Sequence, residues 1–223
     1  MRTVAYAAWM LAAIAVAIVR REAAWCCVAG AIGLFAQAVE ARAWRRAAGG
    51  LAFANLLTLA RLALVAGLPW HLGWLPRWGF VALVVSLLVL DGVDGRVARA
   101  RGETSAFGAS LDMETDALTV MVLTLLLFTR DAFGPWVLVA GLWRYVFVLA
   151  ATLAPALGDA PPSRLYRSIF GVVMIALACA FVPWAPVALT AAAFGTTLVS
   201  FSFLHSIWRS RALRPRFRGG ARP

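Results

Sequence analysis

The chain has 223 residues, 63% hydrophobic and 14% charged, with a mean hydropathy of +0.83. That composition cannot supply both a core and a polar surface, so a soluble globular enzyme is excluded. The 21 basic residues outnumber 10 acids and all are arginine, but they sit in short segments beside apolar runs, which fits topology signals and lipid-headgroup contact and gives no nucleic-acid face.

Apolar runs of membrane-spanning character lie near residues 4–19, 24–39, 51–69, 78–95, 107–128, 133–155, 168–182 and 186–207, where about 20 residues are needed per span. They predict an all-α polytopic membrane bundle. Residues 1–50 read as an accessory apolar hairpin followed by an amphipathic surface helix at Ala41–Ala48, where Trp44 stands beside Arg42, Arg45 and Arg46. A cleavable signal peptide is the other reading of the first run, and no clean small-x-small site follows it. Residues 51–207 form the expected six-helix core, and residues 208–223 a basic tail.

Arginine counting orients the core. Arg42, Arg45 and Arg46, then Arg96, Arg99 and Arg101, then Arg164 and Arg167, then the tail arginines all fall on one side of a six-span bundle. The positive-inside tendency makes that side cytoplasmic, and Trp70, Trp74, Trp78, Trp136 and Trp184 then mark the outer interface. The hairpin turn at Arg20, Arg21 and Glu22 would lie outside. Cys26, Cys27 and Cys179 sit in apolar sequence without metal spacing and read as small buried side chains. His71 and His205 fall at opposite interfaces and cannot share a metal.

Six of the 10 acids, Asp91, Asp94, Glu103, Asp112, Glu114 and Asp116, fall within 26 residues, and several lie inside apolar runs. Ionisable groups there are expensive unless they line a cavity or hold something cationic. Asp91 and Asp94 share a helix face at i, i+3, and Asp112 and Asp116 do so at i, i+4. Two consecutive antiparallel helices bring the pairs together, and four converging carboxylates repel strongly unless cations separate them. Hard oxygen donors at this density call for two Mg²⁺ or Mn²⁺ ions. Gly92, Gly95 and Gly108 clear space beside them, and Arg99 is placed to pair with a phosphate. Acids, metals, glycines and an arginine at a membrane surface describe phosphoryl-group transfer on a lipid-bearing substrate.

The run Asp91-x2-Asp94-Gly95-x2-Ala98-Arg99-x8-Gly108-x3-Asp112-x3-Asp116 resembles the signature of the CDP-alcohol phosphatidyltransferase family, with all eight fixed residues at the family spacing. The resemblance extends over residues 51 to about 207, and Asn55-Leu-Leu-Thr58-Leu-Ala-Arg61 resembles the family's first core helix. It implies a multi-pass protein of a bacterial inner membrane with its site on the cytoplasmic face, and two divalent cations held by Asp91, Asp94, Asp112 and Asp116. Asp116 would also serve as the general base. Asn55, Thr58, Arg61, Gly95, Ala98, Arg99 and Gly108 would form the CDP and diphosphate site. The donor would be CDP-diacylglycerol or a related CDP-alcohol, a small alcohol the acceptor, and CMP the leaving group.

Position 117 is alanine, where phosphatidylglycerophosphate synthases typically have lysine and phosphatidylinositol synthases arginine; Met113 and Thr115 resemble the inositol branch. Arg144 lies inside an apolar run and, with Arg164 and Arg167, predicts a pocket for an acceptor phosphate, as in glycerol 3-phosphate or an inositol phosphate; snorkelling and topology are the other reading of these arginines, and the positive-inside bias by itself accounts for Arg164 and Arg167. The same chemistry with serine, choline or phosphatidylglycerol is the alternative. The N-terminal hairpin is placed to pack on the core or to mediate a homodimer contact. A cation transporter or channel would also use intramembrane aspartates but would not need the glycine and alanine-arginine spacings. An aspartyl protease needs two carboxylates at bilayer depth, not two helical pairs.

Overall fold

A computed structural model describes residues 2–40, 53–102, 106–129, 133–154 and 164–217. The described residues form eight α-helices and no strand: α1 (Arg2–Arg20), α2 (Ala23–Glu40), α3 (Phe53–Trp74), α4 (Arg77–Ala100), α5 (Ala106–Phe128), α6 (Leu138–Leu153), α7 (Arg164–Cys179) and α8 (Ala185–Phe217). A short 3-10 turn, Pro135–Val137, leads into α6. Leu56–Trp74, Pro135–Leu153 and Ala185–Ser210 are each long and apolar enough to cross a membrane. The chain is an all-α membrane helical bundle.

Each predicted run became a helix, with informative differences at the ends. α3 continues through Pro69 to Trp74, beyond the predicted end of its run at residue 69. α8 does not stop at the membrane border but runs on through Arg209, Arg211, Arg214 and Arg216, so the first part of the basic tail extends a span. At 33 residues it is about 50 Å long, well beyond a hydrocarbon core of about 30 Å. The expected surface helix at 41–48 lies outside the described residues.

α5 occupies the centre, packed against α2, α3, α6 and α7. Leu118 and every residue from Val120 to Leu127 are buried. A helix that is apolar on all sides belongs in the middle of a bundle. Its hydroxyls are satisfied internally: Thr115 Oγ1 donates to the Leu111 carbonyl at 2.8 Å and Thr119 Oγ1 to that of Thr115 at 2.7 Å. Close approach to α5 is made by glycines, since a β-carbon on Gly30 of α2 would fall 2.5 Å from Leu118 and one on Gly141 of α6 would fall 2.7 Å from the Met121 Cα.

The N-terminal hairpin is part of this packing. α1 and α2 pack on each other, α2 also on α3 and α5, and α1 on α6. The turn between them closes as a helix-capping motif with Arg21 at φ +54°. Its N–H donates to the Ile18 carbonyl at 3.2 Å, and that of Glu22 donates to Ala17 at 3.0 Å. Arg21 lies over the ring of Phe128 at 5.6 Å, which puts the turn at the end of α5 remote from Asp112. Trp78 meets Trp184 edge-on at 5.6 Å at the corresponding ends of α4 and α8. Asp91 follows Trp78 by 13 residues on α4, about 20 Å along the axis. Trp78 and Trp184 therefore sit at a different height from Asp91.

Candidate active site

Three helices build the acidic cluster. α3 carries Thr58 and Arg61, both buried and one turn apart. α4 carries Asp91, and α5 carries Asp112 and Asp116 on one face. α3 packs against both α4 and α5, so Arg61 enters the space between their carboxylates. Its Nη1 donates to Asp91 Oδ1, and its Nη2 to Asp112 Oδ1 at 2.6 Å and to Asp116 Oδ1 at 3.0 Å. Arg61 is 2% exposed, whereas Asp91, Asp112 and Asp116 are 25%, 40% and 22% exposed. The cluster is closed on the α3 side and open to its surroundings on the carboxylate side.

Carboxylate oxygens of Asp91, Asp112 and Asp116 all lie within 4.8 Å of one another. Asp91, Asp112 and Asp116 are the residues that would hold a Mg²⁺ or Mn²⁺ ion here. Three carboxylates face the single Arg61 guanidinium, so acidic groups outnumber the cation among them. The donor set, hard oxygens only, fits the expected metals. Beside it lies a small cleft lined by Arg61, Asp91, Asp116 and Thr119, and by apolar Leu87, Leu88, Phe170 and Met174. Charged groups thus meet an apolar wall formed by α4 and α7.

The remaining expected positions divide by what is described. Gly92 has open space where a β-carbon would stand, and Gly95 and Gly108 lie partly exposed on α4 and α5. Asn55, Asp94, Ala98, Arg99, Arg164 and Arg167 lie on described helices, but their side chains are outside the described residues. Arg144 is directed elsewhere than to the carboxylate cluster: its Nη2 donates to Glu114 Oε1 at 2.6 Å. Glu114, to which the sequence assigned no role, is 2% exposed. One signal for this pair was present, since ionisable residues inside apolar runs commonly pair with each other.

Residues 51–206 match the family model for CDP-alcohol phosphatidyltransferase. Curated relatives include proteins from Mycobacterium bovis and from two strains of Mycobacterium tuberculosis, each named "Putative cardiolipin synthase" and each 35% identical over 101 residues, 44% of this chain and 47% of the relative. The match thus spans about half the length of those relatives. No solved structure matches the chain. The family match covers more than two thirds of the sequence and contains the whole carboxylate cluster together with the helix that supplies Arg61. The chain belongs to the CDP-alcohol phosphatidyltransferase family.

Proposed function

We propose that this protein transfers a phosphatidyl-type group from a CDP-alcohol, with CDP-diacylglycerol the preferred donor, to an alcohol acceptor and releases CMP. The convergence of Asp91, Asp112 and Asp116 beside an apolar-walled cleft carries this reading. Divalent cations held by these carboxylates, with Asp94 completing the set, would supply charge neutralisation on the diphosphate. Asp116 takes the proton of the acceptor hydroxyl, whose oxygen forms a bond to the phosphorus bearing the lipid alcohol as the bond to the CMP oxygen breaks. Arg61, anchored behind the carboxylates, holds them at one convergence point and offsets one of their charges. Asn55, Thr58, Gly95, Ala98, Arg99 and Gly108 frame the nucleotide and its phosphates.

A phosphorylated small alcohol, glycerol 3-phosphate or an inositol phosphate, remains the first acceptor reading. Arg164 and Arg167 at the start of α7 are its candidate contacts, because Arg144 is engaged by Glu114. A second reading, phosphatidylglycerol as acceptor with cardiolipin as product, is favoured by the name of the mycobacterial relatives. We place the site on the cytoplasmic face of a bacterial cell membrane.

The test is CMP release from CDP-diacylglycerol by purified protein in detergent, with each candidate acceptor supplied separately. EDTA is expected to stop the reaction and Mg²⁺ or Mn²⁺ to restore it. Full activity in chelator would exclude the metal reading. Turnover with phosphatidylglycerol but not with the phosphorylated alcohols would decide for the second acceptor.

A further inference from the structure

We infer that Glu114 and Arg144 form a positioning pair, which sets the rotation of α5 and thereby aims Asp112 and Asp116 at Asp91. The inference rests on the metal-site reading above. Glu114 lies two residues from Asp112 and two from Asp116, so it projects roughly 200° around the helix from each. The carboxylate face of α5 meets Arg61 of α3, whereas Glu114 meets Arg144 of α6 at 2.6 Å. α5 is thus gripped on two sides at the same height. A rotation that relaxed one contact would pull on the other.

The surroundings of the pair support this role. Tyr145, next to Arg144, is fully buried, and its ring lies 6.5 Å from that of Tyr6 on α1, which is also buried. Cys26 of α2 is buried as well. The N-terminal hairpin packs on both helices that carry the pair, α1 on α6 and α2 on α5. Further along, Gly141 lets α6 touch the backbone of Met121, so α6 guides α5 by contact as well as by charge. Arg144 is 22% exposed against 2% for Glu114, which makes the carboxylate the enclosed member and the guanidinium its sole hydrogen-bonding partner among the described contacts. A role for Arg144 through Glu114 needs no contact with substrate.

Mn²⁺ binding by purified protein, followed with kcat and acceptor KM, separates the possibilities. Glu114→Gln and Arg144→Gln should each weaken Mn²⁺ binding by about 10-fold or more and lower kcat, with acceptor KM unchanged. The double substitution should be no worse than either single one, because the partners act as a unit. Arg144→Lys should recover part of both losses. An increase in acceptor KM confined to the Arg144 variants, with normal Mn²⁺ binding, would overturn the inference in favour of direct acceptor contact. If the single variants do not fold, Glu114→Leu/Arg144→Leu leaves no buried charge unpaired, and normal Mn²⁺ binding in that protein would equally overturn it. Wild-type protein that binds no Mn²⁺ would defeat the metal-site reading itself; normal binding by wild type and variants alike would defeat only the positioning pair.

Discussion

Arg61 is the residue whose role depends most on its neighbours. A buried guanidinium is tolerated because three carboxylates surround it, and they in turn are held close because it stands among them. Replacing it by methionine keeps much of the side-chain volume but leaves the carboxylates facing one another. Arg61→Met is therefore expected to destabilise the protein in EDTA by roughly 3 kcal/mol, with added Mn²⁺ restoring a large part. Thermal unfolding in detergent with and without metal checks this, and equal midpoints for variant and wild type in EDTA would refute it. The carboxylates answer to a different measurement. Asp91→Asn and Asp112→Asn each remove a charged oxygen donor, so CMP release should fall by more than about 100-fold in both, and excess Mn²⁺ should not rescue it.

At the scale of helices, α5 depends on neighbours that come very close. A methyl group at Gly141 would stand 2.6 Å from Met121 Sδ and 2.7 Å from the Met121 Cα, and backbone cannot yield as a side-chain tip does. Gly141→Ala should cost about 1 to 3 kcal/mol through overpacking between α5 and α6. Gly171 on α7 provides the contrast, with nothing within 4 Å of a β-carbon built there. Gly171→Ala should be neutral or stabilise by up to about 1 kcal/mol, because only the helix preference of alanine operates. Unfolding midpoints of the two variants in the same detergent test the comparison; equal losses would mean that packing around α5 is not the controlling term.

For the whole molecule, the arginine distribution predicts that residue 50, the segment 96–106, the segment 156–167 and the tail share one compartment, the cytoplasm. The exposed tryptophans at the remote helix ends, Trp74, Trp78 and Trp184 among them, suit the opposite interface. Single cysteines at positions 50, 100, 160 and 220 in a background lacking Cys26, Cys27 and Cys179 should resist an impermeant thiol reagent in intact cells and react after permeabilisation. Labelling of position 160 in intact cells would invert this topology and put the carboxylates on the other face.

Much of this was legible in the sequence because it is local. Helix positions follow from apolar runs, since a lipid environment demands that every backbone group be satisfied within its own segment. The grouping of Asp112 with Asp116 follows from a period of 3.6 residues, and the spacing from Asp91 to Asp116 was enough to show the family resemblance. Helix ends were less legible, as α3 passing Pro69 and α8 running into the arginines show, because end positions depend on what the last turn packs against. The partners of the charged residues could not be read along the chain at all. Arg61 meets carboxylates 30, 51 and 55 residues away, and Arg144 meets Glu114 at a separation of 30. Those pairings depend on how far each helix is rotated about its own axis. That rotation is decided only when α5 is packed between α3, α6 and the N-terminal hairpin, where a charge left facing lipid would be far more costly than one facing its partner.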